Sequence, residues 1–362
     1  MDDSRTALLF YINSLRRGGA ERVLLQLAER FAGAGYRAVF VTSFRAEDEY
    51  PVPPGVERIS IEDAQIPQNA LKRNASRISA LRRLCIEYKP AALISFMAEP
   101  NFRAVLAARG LPVKTILSVR NAPEKEYFNS VFRFVARHIL PRADGCVFQT
   151  EDAKSWFPER LQKKSTVIMN QVSQRFFDEV PSDTHRGVAA VGRLSPQKNH
   201  AMLIRAYAAL GDVDEPLTIY GEGPLREELE ALVKELGLEG RVFLPGQSAD
   251  ISRDIKGAKL FVLSSDYEGM PNVLLEAMAL GLPCIATDCP CGGPASVIED
   301  GVSGMLIPVG DEKALTEKMR LLLSSDETRG RLSQNAKIAA EAFRPEAVFR
   351  QWKEYVETVI AR

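Results

Sequence analysis

The chain is poor in the residues that make metal and disulfide sites. Its 362 residues hold five cysteines and three histidines. Cys85, Cys146, Cys284, Cys289 and Cys291 are odd in number and mostly far apart, which argues against a disulfide framework. Cys289-Pro290-Cys291 has no second Cys or His pair at ligand spacing, so it is not read as a zinc site. Neither sign of charge is in excess, with Lys plus Arg and Asp plus Glu at 47 each. Bulk attraction to nucleic acid is therefore not expected, and any basic patch must be local. No apolar run reaches the length of a membrane span. Met1-Asp2-Asp3-Ser4-Arg5 is polar and does not read as a signal peptide, so a cytoplasmic location is expected. Repeats of fixed period and low-complexity segments are also missing.

The most informative stretch runs from Lys259 to Gly301. Lys259–Ser265 is a short apolar run of the kind buried on both faces of a parallel sheet. A Gly269-Met270-Pro271-Asn272 loop follows, then a helix ending near Gly281, then a second apolar run from Leu282 to Thr287. Pro271 suits a first helical position, and Gly281 suits a left-handed C-terminal cap. The helix start offers free N–H groups and the positive end of a dipole, a ready seat for an anion. Glu268 precedes this helix and Glu276 lies within it. Glu276 can accept hydrogen bonds from a vicinal diol such as a ribose. Glu268, at the loop mouth, can meet a polyol or a developing positive charge. The combination suits a sugar carried on a nucleotide diphosphate.

The rest of the chain alternates strand and helix patterns. An apolar run over residues 6–14 leads through Gly18-Gly19 into an amphipathic helix and a strand at Arg37–Ser43. This turn lacks Gly-x-Gly-x-x-Gly, and the strand after it leads to Arg45 rather than an acidic residue, which disfavours a nicotinamide dinucleotide. Gly18-Gly19 instead lets a ligand approach backbone at a helix N-terminus. A second doubly wound unit opens at Gly187, where Arg193 and Lys198 flank a turn between strand and helix. A forked guanidinium and a point-charge ammonium five residues apart suit a diphosphate. The helix over 70–90 is basic, with Lys72, Arg73, Arg77, Arg82 and Arg83, and residues 131–142 set Arg133, Arg137, His138 and Arg142 among apolar residues. Both suggest an anionic partner, such as lipid headgroups or a lipid-linked pyrophosphate, against the blander reading of a solvated helix face. Residues 173–186 are polar and read as a linker.

The run Ser265-Asp-Tyr-Glu268-Gly-Met-Pro-Asn-Val-Leu-Leu-Glu276-Ala-Met-Ala-x-Gly-x-Pro283 resembles the Glu-x7-Glu signature of retaining GT-B glycosyltransferases of family four. Gly192-Arg193-Leu194-x-x-x-Lys198-Asn199 is similar to that family's phosphate-binding motif. Thr287–Pro294 looks like a variant found in bacterial enzymes of capsule and lipid-linked oligosaccharide assembly. The resemblance implies an α/β fold with two doubly wound Rossmann-like domains facing across a cleft. Residues 1–170 would form the acceptor-side domain and 171–344 the nucleotide-sugar domain, with the last helix, 345–362, packing back on the first. It implies that Gly18 and Gly19 face the donor, that Gly269, Met270, Pro271, Asn272 and Glu276 bind it, and that Arg193, Lys198 and Glu268 carry the chemistry. Base contacts would fall at Gly246-Gln247 and Asp250-Ile251. Many relatives place a His where this chain has Arg120-Asn121, so Arg120 is expected either to position the acceptor or leaving phosphate or to be a salt-bridged loop residue.

The expected reaction is transfer of a hexose or N-acetylhexosamine, from UDP by expectation, to a glycan or polyprenyl-diphosphate-linked saccharide, with retention at the anomeric carbon. No cofactor or metal is expected, and Asp48-Glu49 reads as solvated. Attachment to the inner face of the cytoplasmic membrane is open. A nucleotide-sugar epimerase and a non-catalytic nucleotide-sugar-binding module are the alternatives.

Overall fold

A computed structural model describes residues 5–62, 69–180, 182 and 185–362. The chain divides into two compact units, residues 1–170 with 346–362, and residues 171–345.

The first unit is a parallel sheet of seven strands: β1 (Ala7–Ile12), β2 (Arg37–Thr42), β3 (Val56–Ser60), β4 (Ala92–Phe96), β5 (Lys114–Ser118), β6 (Gly145–Phe148) and β7 (Ser165–Val167). Their order is β3-β2-β1-β4-β5-β6-β7. The chain winds outward from β1 to β3, then returns to the other side of β1, so the loops after β1 and β4 diverge at a switch point. β1 and β4 are buried at every residue, which is why each reads as an unbroken apolar run. The edge strand β3 and the helix Ala98–Ala108 were not anticipated from sequence. β3 is mostly half-buried, and its Val-Glu-Arg-Ile-Ser is too polar to stand out.

The last helix, Pro345–Ala361, belongs to this unit. Trp352 is 2% exposed and stacks on Phe96 with ring centroids 5.8 Å apart. Tyr355 accepts the N–H of Cys146 at 2.8 Å and donates to the carbonyl of Lys164 at 2.6 Å, tying the helix to β6 and to the residue before β7. Gly145 is required there, because a Cβ would sit 2.6 Å from the Tyr355 hydroxyl.

The second unit is a parallel sheet of six strands: β8 (Val188–Val191), β9 (Leu217–Tyr220), β10 (Val242–Gly246), β11 (Leu260–Leu263), β12 (Cys284–Thr287) and β13 (Met305–Ile307), in the order β10-β9-β8-β11-β12-β13. Here the switch point lies between β8 and β11. Its core gathers Leu203, Tyr207, Leu217, Ile219, Val262, Ile285 and Met319. The stretch expected to be a linker contains the short helix Gln174–Asp178. Phe176 on it is 1% exposed, and Glu179 pairs with Lys256 at 2.9 Å, so residues 174–179 are fastened to the second unit, while residues 181, 183 and 184 of that stretch lie outside the described residues. Burial of one aromatic outweighs the polar composition around it. Among the described residues, no helix is long and apolar enough to cross a membrane.

Candidate active site

In open parallel sheets ligands bind beyond the carboxyl ends of the strands at the switch point. In the second unit that position is shared by the loop after β8, residues 192–199, and the loop after β11, residues 264–271. The two are stitched together. The N–H of Asp266 donates to the carbonyl of Gln197 at 2.9 Å, and Gln197 Nε2 donates to the carbonyl of Tyr267 at 2.9 Å. Ser264 Oγ donates to the carbonyl of Lys198 at 2.9 Å, and Asn199 Nδ2 to Asp266 Oδ1 at 2.7 Å. Asn199 also caps the helix His200–Ala208, its Oδ1 accepting the N–H of Met202 at 3.2 Å. That cap is a signal sequence reading could have used.

At the centre, Lys198 Nζ lies 2.5 Å from Glu268 Oε1, which also accepts from Ser265 Oγ at 2.7 Å. The side chains are only 16% and 9% exposed. The Lys198 stem runs over Gly192, where a Cβ would stand 3.2 Å from it. Arg193, at the start of the turn, is exposed. Glycines seat this turn against its neighbours. A Cβ on Gly221 would come within 2.0 Å of the Gly192 carbonyl oxygen, and one on Gly223 within 2.3 Å of that of Leu194.

The helix Asn272–Ala279 begins one residue later than expected, with Pro271 as its extended cap residue. Gly269, Met270 and Pro271 are buried, and Asn272 is half-buried. Gly293 packs directly on this loop, since a Cβ there would lie 1.8 Å from the Gly269 carbonyl oxygen. Glu276 sits in the second turn of the helix at 4% exposure. The spacing Asp212-x-Asp214, passed over in the sequence, lies in the exposed loop leading into β9, at the amino end of the sheet away from this site.

The other predicted residues belong to the first unit. Gly18 is the extended cap residue of the helix Gly19–Gly33. The Glu21 carboxylate folds back beside it, where a Gly18 Cβ would meet Glu21 Oε2 at 2.3 Å. Burial raises the Glu21 pKa above its ordinary value. That helix start therefore already carries an acidic group. Arg120 stacks over the Phe96 ring at 4.6 Å and donates to Ser118 Oγ at 3.3 Å and to Asn170 Oδ1. Burial pushes its pKa down, with the Glu126 carboxyl opposing that shift. Asn121 turns its Oδ1 onto the N–H of Ala122 at 2.9 Å.

The basic helix Ala70–Tyr88 needs a correction. Arg77 is buried and pairs with Glu62, and Arg82 donates to the carbonyls of Ala107 and Arg109 at 2.9 and 2.7 Å. Both are structural cations with internal partners. Lys72 and Arg83 remain exposed and Arg73 half-exposed. The 131–142 stretch is a short α-helix, a π-turn and a 3-10 turn in succession. Leu140 is buried, whereas Phe128, Val131 and Phe134 are 64%, 69% and 57% exposed, alongside exposed Arg133, Arg137 and His138.

Comparison with known proteins agrees with this architecture. The Glycosyltransferase Family 4 model matches residues 17–174, and the model for glycosyl transferases group 1 matches residues 173–339. A Campylobacter jejuni protein is 29% identical over 97% of this chain and 98% of its own length. It is described as a GalNAc-alpha-(1->4)-GalNAc-alpha-(1->3)-diNAcBac-PP-undecaprenol alpha-1,4-N-acetyl-D-galactosaminyltransferase. The amylovoran biosynthesis glycosyltransferase AmsD of Erwinia amylovora is 25% identical over 96% of this chain and 98% of its own. The structure of Anabaena HepE in complex with UDP and glucose superposes with a TM-score of 0.84 at 21% identity, covering 98% of this chain and all of that one. With two family models tiling most of its length and a GT-B fold, the chain belongs to the GT-B glycosyltransferases.

Proposed function

We propose that the chain transfers a hexose or N-acetylhexosamine from UDP to a saccharide carried on a polyprenyl diphosphate, with retention and without a metal. The observation that carries this reading is the Lys198–Glu268 pair, held at the switch point beside the Asn272–Ala279 helix start. As the anomeric bond breaks, the leaving diphosphate gains negative charge. Lys198, exposed Arg193 and the loop N–H groups are donors suited to that charge, preorganised in a partly dry site. Glu268 would face the transferred sugar and Glu276 the ribose. UDP is supported by the HepE complex, and a lipid-linked acceptor by the Campylobacter relative. A peripheral position on an anionic membrane is supported by exposed Phe128, Val131 and Phe134 set among Arg133, Arg137 and His138.

The test is a thermal-shift panel of UDP-, GDP- and dTDP-sugars, because a ligand stabilises in proportion to its affinity. Transfer to polyprenyl-diphosphate-linked N-acetylhexosaminides is then followed with and without EDTA, and the product's anomeric configuration is read by NMR. Stabilisation by UDP-sugars, EDTA-resistant transfer and retained configuration are expected. Preference for another nucleotide, loss of turnover in EDTA, or inversion would each overturn the corresponding part. Turnover of the donor alone to an isomeric sugar nucleotide would point to an epimerase.

A further inference from the structure

The first unit contains a charged network that the donor site does not use. Arg103, on the helix Ala98–Ala108, is 1% exposed. Its Nε donates to Asn74 Oδ1 at 2.7 Å, Nη1 to Asn13 Oδ1 at 2.7 Å, and Nη2 to Glu99 Oε2 at 2.6 Å. Asn13 is fixed in turn: its Oδ1 accepts from Ser43 Oγ at 3.2 Å, and its Nδ2 donates to Glu99 Oε2 at 3.5 Å. Ser43 lies 2.8 Å from the hydroxyl of Tyr11. The exits of β1 and β2 and two helices thus converge on one guanidinium.

The Glu99 side chain is 46% exposed, in contrast to Arg103. All of these contacts go to its Oε2, and Oε1 takes none of them. An exposed helix pair at i,i+4 adds little stability, whereas burying a guanidinium is costly. Replacing a whole buried ion pair by apolar residues is often neutral or stabilising, so stability alone does not account for this arrangement. What the arrangement does achieve is a carboxylate held through one oxygen on a side chain that is nearly half exposed. Its place is telling: Glu99 follows β4 and Asn13 follows β1, the two strands that flank the switch point of this sheet. Met97, just before the helix, has φ +77°, a strained value for a side-chain-bearing residue, and such strain gathers at functional turns.

We propose that Glu99 recognises the acceptor saccharide, its Oε1 accepting a hydrogen bond from a sugar hydroxyl or acetamido N–H, and that Arg103 and Asn13 are its positioning residues. The proposal rests on the reading that the acceptor is a saccharide. A neutral donor group suits it, since a phosphate would be repelled by the carboxylate. The bonds from Arg103 and Asn13 to Oε2 fix the carboxylate and so orient its other oxygen.

The experiment uses the full chain and octyl glycosides of N-acetylgalactosamine, N-acetylglucosamine, galactose and glucose as probes. Their affinities are measured by saturation-transfer NMR, UDP affinity by calorimetry, and folding by thermal melts. Glu99→Gln is expected to weaken the preferred glycoside about tenfold, the loss of a charge-assisted bond, and to alter the ranking of the four, with UDP affinity unchanged. Arg103→Lys, which keeps the charge but loses the fork, is expected to act in the same direction to a smaller degree, and it serves if Glu99→Gln does not fold. Unchanged glycoside affinity in both variants overturns the proposal. So does a parallel fall in glycoside affinity, UDP affinity and melting temperature, which is the mark of a purely structural role. A wild type that binds UDP but none of the four glycosides also overturns it, whereas a wild type that fails to bind UDP defeats the nucleotide-sugar reading instead.

Discussion

Lys198 Nζ and Glu268 Oε1 stand 2.5 Å apart, although the sequence assigns one to a phosphate and the other to a sugar. Each therefore orients the other before any ligand arrives. The ammonium has three donors, so it can keep Glu268 and still reach a phosphate oxygen. The two residues are expected to act as a unit. Lys198→Ala should lower kcat on the order of 100-fold, as for loss of an oxyanion-hole donor. Glu268→Ala should also act mainly on kcat, and the double variant should be little worse than either single one. Strictly multiplicative losses in a double-mutant cycle would show two independent groups. Glu276→Ala should instead raise the donor KM.

The glycines around the site differ sharply in what they tolerate. Gly293→Ala places a Cβ 1.8 Å from the Gly269 carbonyl oxygen, and backbone cannot swing aside as a side chain can. A loss of about 1–3 kcal/mol is expected, together with a raised donor KM because the Gly269–Asn272 loop must shift. Gly330, inside the helix Asp326–Ala340, is different: a Cβ added there would meet nothing within 4 Å. Gly330→Ala should therefore stabilise by roughly 0.5–1 kcal/mol. Urea titrations of both variants decide the contrast, and equal effects would refute it.

His200, the first residue of the helix after the Arg193–Lys198 turn, is 5% exposed. Burial pushes its pKa down from 6.5 to about 4, with the Lys198 ammonium adding to the shift and the Gly192 backbone opposing it. The folded state therefore holds the imidazole neutral while the unfolded chain binds the proton. The stability at stake is complete above the ordinary value of 6.5 and is lost as pH falls towards 4. Thermal melts across that window should show a steeper decline for the wild type than for His200→Leu. A difference that does not change with pH would remove the effect.

The final helix is expected to be indispensable to the first unit. Trp352→Ala removes a side chain 2% exposed and stacked on Phe96, and should cost about 3–5 kcal/mol. Tyr355→Phe deletes only the hydroxyl that serves Cys146 and Lys164, leaving a buried N–H without its acceptor, at about 1–3 kcal/mol. Chemical denaturation followed by tryptophan and circular-dichroism signals in Tyr355→Phe checks the second value. A near-zero change would mean that water replaces the hydroxyl.

Much of this protein was written in short-range pattern. A strand buried on both faces, such as Ala7–Ile12 or Leu260–Leu263, reads as apolar whatever packs upon it. The Gly269–Asn272 loop, the two glutamates and the Arg193–Lys198 turn were visible because helix starts and tight turns depend on neighbours in sequence. The partners of charged side chains were not visible. Arg77 and Arg82 looked like a basic surface, yet each finds its partner 15 to 27 residues away in the folded chain. Arg103 reaches Asn13 across 90 residues. A sequence specifies how many charges a helix carries. Which of them are desolvated is decided only when other elements close over them, and here that closure separated the structural arginines from the carboxylate left facing solvent.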